Sequence, residues 1–437
     1  MTQERCFIQE LKLKNYRCFP ELFLSFHDRL TVLVAPNGGG KTAVLDGIAI
    51  ALRLFVDTME GRQSSKSFET KDIRLVLNPN QKMEPVTPVR LEASGLFLGS
   101  EITWSRERQS RKRTSNARNL KMLASRLTQE NQDWAEGKTQ KSPLFPLIAY
   151  YGTGRLWGDI STKTGESPQT APNARYRGYA DCLSSASHYK EFVNWFRRFS
   201  YEAKQENSPH KPQRSLGVVR QAVNLALKPV GWHTLEWDFA EDVIVAHHEM
   251  YGRLLVDTLS DGIRTMIGLV ADIAHRAVLL NPQLDEKAAA ETPGIVLIDE
   301  VDMHLHPAWQ QMVLPALQQA FPLVQFIVTT HSPQVITTVP QECIRIFKEG
   351  GVYSASPGTD GAEAQRILED VFQVSPRPKT SMADALDEYL RLVNNRQWAS
   401  PRALELRQQL DEWSQGYEPR LIEADLQIDN MKWEAGE

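Results

Sequence analysis

Cysteine is scarce in this chain. The four in its 437 residues, Cys6, Cys18, Cys182 and Cys343, are scattered. That excludes a disulfide framework and any paired metal-ligand spacing, and it fits a reducing, cytoplasmic setting. No run of about 18 apolar residues occurs, so no membrane-crossing helix is expected. The opening "MTQERCFIQE" lacks the apolar core of a secretory leader. Net charge is only −4, which argues against an overall basic coat for nucleic acid but leaves local patches open. Internal repeats, low-complexity tracts and sustained heptads are missing too. Hydrophobic content of 41% and charged content of 24% are those of an ordinary globular protein. The length exceeds what one compact core usually spans, so one large domain with insertions, or two lobes, is expected.

What is present begins with "TVLVAPNGGGKTAVLDGI", Thr31 to Ile48. It reads as a buried strand, a glycine turn and a long, largely buried helix. "CFIQELKLKNYRCF" and "LFLSFHDRLTVLVA" alternate and predict strands feeding that turn. "PVRLEASGLFLGSEITWSRE" predicts a hairpin, with turn signals at Ser94-Gly95 and Gly99-Ser100. The spacing of Tyr189, Phe192, Trp195, Phe196 and Phe199 predicts a helix with a core face. "PGIVLIDE" and "VQFIVTTHSP" are buried strands, and strands alternating with helices imply a largely parallel sheet.

Four elements carry chemistry. In "APNGGGKT", Asn37, Gly38, Gly39 and Gly40 form a turn whose amides can converge on phosphate oxygens. Lys41 reaches terminal phosphates and Thr42 supplies a hydroxyl for Mg²⁺, so ATP and Mg²⁺ are the expected cofactors. Ala35 stands where the pattern has its first glycine, a single added methyl that should be tolerated. "GIVLIDE" delivers Asp299 and Glu300 to the carboxyl edge of the sheet, the first to hold Mg²⁺ and the second to polarise the attacking water. "LSDGIRT" places Ser260 and Gly262 at a helix start, a second anion site or simply a capped helix. His331 ends a buried strand and could touch a γ-phosphate. Separately, Arg106 to Lys121 carries seven basic residues against one acid, Glu107. It is either a solvated face or a nucleic-acid contact through Arg108, Arg111, Lys112 and Arg113.

Together "LKNYRCF", "APNGGGKT", "LSDGIRT", "VLIDEVDMHLHP" and "FIVTTHSP" resemble the ABC-type ATPase heads of the RecF, SMC and OLD group. The resemblance implies an α/β RecF-like P-loop head with a mixed sheet and an antiparallel N-terminal subdomain, a helical insertion and a helical C-terminal tail. It implies that Asn15, Tyr16 and Arg17 lie near the nucleotide, with Arg17 in the ATP site. It implies that Ser260 and Gly262 complete the opposite protomer's site, and that Asp302 lies in the dimer-crossing D-loop. His304 and His306 belong to that loop, not to a zinc site. The glutamine such heads place between the phosphate loop and the signature is missing, and Tyr151 and Arg155 stand at its place.

The span between Lys41 and the signature is too short for an SMC arm. No Asp-x-Asp follows His331, and no His-Asn-His nuclease pattern is evident, so this chain is not expected to cut nucleic acid. "IAYYGTGRLW", "GYADCLSSASHYKEFVNWF" and "HLHPAWQQMVLPALQQAFPLVQFIVTTHSPQVI" look like PtuA-type ATPases of Septu and some retron systems. That likeness implies a homodimer or larger oligomer that regulates a separate HNH-type, PtuB-like nuclease in antiphage defence, with a retron's reverse transcriptase and non-coding RNA as further partners. A RecF-like DNA-repair ATPase and a low-turnover, nucleotide-gated scaffold are the alternatives. The domain plan is 1–157 and 236–360 for the head, 158–235 for a helical insertion, and 361–437 for a helical tail. Its last stretch, Pro401 to Glu437, holds nine acids and four basic residues. It reads as ill suited to a core of its own and suited to docking on a partner.

Overall fold

The computed structural model describes residues 4–62, 68–109, 113–155, 174–184, 189–205 and 210–435. They fall into two compact units, Met1–Phe372 and Gln373–Glu437. The loop-like stretch expected after Trp157 lies mostly outside the described residues, as does the Tyr189 side chain.

At the centre of the first unit is a six-stranded sheet. Its order is Gly351–Ser354, Ile344–Lys348, Leu30–Val34, Val324–Thr329, Gly294–Ile298, Leu147–Tyr151. Gly351–Ser354 runs antiparallel to its neighbour, and the remaining pairs are parallel. Leu30–Val34, Val324–Thr329, Gly294–Ile298 and Leu147–Tyr151 are buried at every position. A strand covered on both faces must be apolar throughout, which is why these runs do not alternate.

A second, antiparallel sheet has the order Phe19–Ser25, Cys6–Tyr16, Val89–Phe97, Ser100–Arg108, Arg113–Asn116. Here burial alternates, as one covered face requires. Of the two turn signals in this region, only Gly99 lies at the turn. Ser94 and Gly95 lie inside Val89–Phe97, where the neighbouring strand bulges between Ile8 and Glu10. Buried Gln325 of the central sheet fills the bulge: its Oε1 accepts from Ile8 N at 2.9 Å and its Nε2 donates to Ile8 O at 2.8 Å.

The helix Lys41–Met59 touches strands of both sheets. Trp104 Nε1 donates to its Ala51 carbonyl at 3.0 Å, and Arg106 donates to Ile50 O at 2.7 Å. A three-stranded meander, Trp232–Asp238, Val243–His248 and Gly252–Leu255, leads into the helix Asp261–Leu280. Helices Tyr189–Lys204 and His210–Leu227 pack on that helix. Phe192, Trp195, Phe196 and Phe199 are buried, so the aromatic spacing does mark a core face. Among the described residues no helix is long and apolar enough to cross a membrane.

The second unit corrects the reading of the acidic end. Helices Ser381–Asn394, Pro401–Ser414 and Pro419–Ala435 enclose a core of their own. It holds Leu386, Tyr389, Val393, Leu406, Leu410, Leu421 and Ile428. Net acidity hid this because most of the acids sit on the outer faces while the apolar residues recur every three or four positions. Leu410 is fully buried, so Leu410→Ala should lower the stability of this unit by about 2–5 kcal/mol. Hydrogen exchange of the amides in Pro401–Ser414, measured in the whole chain, reads that loss.

Candidate nucleotide-binding site

The glycine turn closes the strand Leu30–Val34 and opens the helix Lys41–Met59. Gly40 is the N-cap with φ 91°, and no side chain caps the helix, so its first amides are left for an anion. Asn37 and Gly38 are exposed on the turn. Ala35 is buried, and a Cβ built on Gly39 would stand 2.7 Å from the Ala35 methyl. The extra methyl at position 35 is therefore accommodated by the missing one at position 39.

Lys41 is largely buried. Its Nζ donates to Ala35 O at 2.8 Å and lies 2.8 Å from His331 Nε2. Burial lowers the Lys41 pKa, opposed in part by Asp299, Glu300 and Asp302. Thr42 Oγ1 donates to Asp299 Oδ2 at 2.8 Å, and Thr329 Oγ1 donates to Asp299 Oδ1 at 2.6 Å. The same Thr329 hydroxyl accepts from Glu300 N at 2.7 Å. Glu300 takes a left-handed φ of 49°, so the chain turns sharply there. Asp302 Oδ1 accepts from Thr330 Oγ1 at 2.5 Å. Three sequence segments thus meet at one sheet edge: the glycine turn, Asp299 to Asp302, and Thr329 to His331.

Arg17 sits beside the same helix, clamped by carboxylates. It donates to Asp46 at 2.6 Å and to Asp72 at 2.8 and 3.0 Å. Ser260 caps Asp261–Leu280 without a side-chain cap bond and is exposed. Gly262 is buried against the loop that follows Glu300 in its own chain: a Cβ there would meet His304 O at 2.4 Å. Among the described residues no hydrogen bond links Ser260 or Gly262 to the phosphate loop of the same chain. His306 Nδ1 accepts from Ala308 N at 3.3 Å, the bond of a helix cap.

The Tyr151 side chain turns away from this site. Its hydroxyl donates to Asp272 Oδ2 at 2.7 Å, in the core of the helix Asp261–Leu280. Successive strand residues face opposite ways, so it is Tyr150 that faces Asp46 on the phosphate-loop helix. The Arg155 side chain lies outside the described residues. Arg108 donates to Phe68 O at 2.7 Å, a structural use. Arg111, Lys112 and the Arg113 side chain lie outside the described residues. Sequence reasoning missed Thr329, Asp46 and Tyr150. Only Thr329 left a trace, as the first threonine of "TTHSP".

Beside Tyr151, Arg276 Nε donates to Asp272 Oδ2 at 2.8 Å, and Nη1 donates to Gly178 O at 2.9 Å. Burial alone would raise the Asp272 pKa; the Arg276 charge and His275 outweigh it and hold the carboxyl well below its ordinary range. A depressed carboxyl adds stability above its unfolded pKa of about 3.9 and loses it as pH falls. Asp272→Asn should destabilise the chain by about 3–5 kcal/mol near neutral pH, because Arg276 is left buried and unpaired. In urea unfolding the gap from wild type should shrink as the pH is lowered toward about 3. For the loop, Gly39→Ala should weaken ATP binding at least tenfold through its clash with Ala35. Adding Ala35→Gly should recover part of the loss in isothermal titration.

Several known proteins are similar to this chain. The Retron Ec83 probable ATPase of Escherichia coli is 28% identical over 489 residues, covering 98% of this chain and 87% of the relative. The Septu protein PtuA of Bacillus thuringiensis is 22% identical over 406 residues, covering 87% and 88%. These are the retron and Septu relatives that the sequence motifs resemble. Among solved structures, the SMC head domain from Thermotoga maritima matches at 17% identity and a TM-score of 0.44, over 80% of this chain and 98% of that one. The family described as "AAA domain, putative AbiEii toxin, Type IV TA system" matches residues 30–337. That match runs from the strand before the glycine turn to the helix after His331, well over half of the chain, and the chain belongs to this AAA-domain family.

Proposed function

We propose that this chain binds and hydrolyses ATP as one half of a head-to-tail pair, and that its nucleotide state controls a separate nuclease subunit in antiphage defence. One observation carries the reading: Lys41, Thr42, Asp299 and His331 converge within hydrogen-bond reach although they are far apart in sequence. The donor set also fits Mg²⁺. A hydroxyl and a buried carboxylate, both hard oxygen ligands, already face each other at 2.8 Å. Thr42 and Asp299 would hold the ion, which when bound neutralises charge on the phosphates.

Each remaining group has a defined task. Lys41 is short of water, so a phosphate oxygen is a better acceptor for it than the Ala35 carbonyl. Glu300 takes a proton from the attacking water, the water oxygen bonds to the γ-phosphorus, and the bond to the β-phosphate oxygen breaks to leave ADP and phosphate. Thr329 holds the Asp299 carboxylate and the Glu300 amide together, so metal ligand and base keep a fixed relation. His331 positions Lys41 and can reach the γ-phosphate.

A second copy would supply Ser260 and the amides around Gly262. Ser260 is exposed, and its side chain makes no cap bond that would compete with a phosphate. Closing the pair then depends on the γ-phosphate, which makes the protein a switch. The C-terminal unit offers a surface to the nuclease. Ile422, Leu426 and Trp433 are exposed on one side of the helix Pro419–Ala435, among acids.

Glu300→Gln should keep ATP binding, slow hydrolysis by about 10²–10⁴-fold and accumulate as a closed dimer. Phosphate release and light scattering with ATP test this; wild-type turnover in the variant removes Glu300 from the base role. Lys41→Ala should abolish binding, and retained tight binding would sink the phosphate-loop assignment.

A further inference from the structure

We propose that the start of the helix Arg118–Ala135 and the edge strand before it bind the phosphodiester backbone of a nucleic acid. This surface is separate from the ATP site and needs no nucleotide. It also differs from a contact at Arg108, because the basic residues with described side chains divide in two. Arg106 and Arg108 turn inward and donate to the carbonyls of Ile50 and Phe68. Arg118 and Lys121 turn outward and are exposed.

The outward pair is unneutralised. Among the described residues neither Arg118 nor Lys121 has an acidic partner or a side-chain hydrogen bond. Arg126 completes the row, with one weak, solvent-exposed contact to Glu130 at 3.5 Å. The first turn of this helix carries no acid. These cations line an open cleft of about 660 Å³ together with Ser115, Asn116 and Ser125. The hydroxyls and the amide are neutral donors of the kind that fix phosphate oxygens.

The spacing suits a polymer with regular charge. Arg118, Met122, Ser125 and Arg126 share one helix face. From Arg118 to Arg126 the helix rises about 12 Å, which spans roughly three phosphate intervals of one strand. A lone carboxylate or a short acidic peptide would engage only one or two of these groups at a time. The opposite helix face, Leu120, Leu123, Ala124 and Leu127, is buried, so the cations stand on a rigid support. Exposed Met122 lies between them and gives apolar contact to a sugar or an unpaired base.

The test is fluorescence anisotropy on the full chain without ATP, using labelled single-stranded DNA, RNA and duplex of about 20 units between about 50 and 200 mM salt. The three probes tell the sources of backbone apart. Wild type should bind at least one of them, with affinity falling steeply as salt rises. Arg118→Ala with Lys121→Ala should weaken binding at least tenfold and lower the salt slope by about 1.4–1.8, the value for two lost phosphate contacts. Arg118→Gln alone, which keeps a polar side chain, should lower the slope by about half that amount. Thermal melting checks that each variant is folded. Unchanged affinity and slope in the double variant would overturn the proposal. So would a wild-type chain that binds polyglutamate but none of the three probes.

Discussion

The parallel register of three buried strands is the constraint on which the site depends. Thr329 pairs with Leu33, and Val328 pairs with Ile298. The strands therefore end in step, and their outgoing loops arrive at one edge: the glycine turn, Asp299 and Glu300, Thr330 and His331. No long side chain has to reach across the sheet. Short groups such as Thr42, Thr329 and Asp299 meet because their backbones are already aligned, and a slip of one residue in the strand Val324–Thr329 would turn Thr329 to the wrong face. Gln325 guards against such a slip. Its amide is bonded to both Ile8 and His27, which ties the middle strand to the second sheet at a single register.

The strand Leu147–Tyr151 connects two polar networks, one partly and one fully buried. Tyr150 faces Asp46, which in turn holds Arg17. Tyr151 faces Asp272, which holds Arg276. The backbone carbonyl of Tyr151 also accepts from Asp299 N at 2.8 Å. One short segment therefore bonds the loop at Asp299, the helix after the glycine turn and the helix Asp261–Leu280. Buried networks of this kind are costly when incomplete, and each of these has a charged partner in place.

Local patterns made much of this legible. The glycine turn, the two acids after an apolar strand and the histidine after another were readable because each is a short motif at an element boundary. What could not be read was set by side-chain direction and by distant partners. Whether Tyr150 or Tyr151 faces the helix after the glycine turn depends on a two-residue period whose phase the sequence leaves open. Arg106 and Arg108 read as surface cations because the carbonyls they satisfy come from segments 56 and 40 residues away. The C-terminal core was masked by composition, since nine acids dominate the average while a few leucines at helical spacing carry the packing.

The contact between Ala35 and Gly39 bears on ancestry. Each position alone looks free to vary, since one is a buried alanine and the other a loop glycine of ordinary φ. With a methyl at 35, any side chain at 39 is excluded; with a glycine at 35, that particular obstacle is absent. The two sites cannot drift independently, and the order of substitution matters. The departure from the usual loop spelling at position 35 is then compatible only with glycine at position 39.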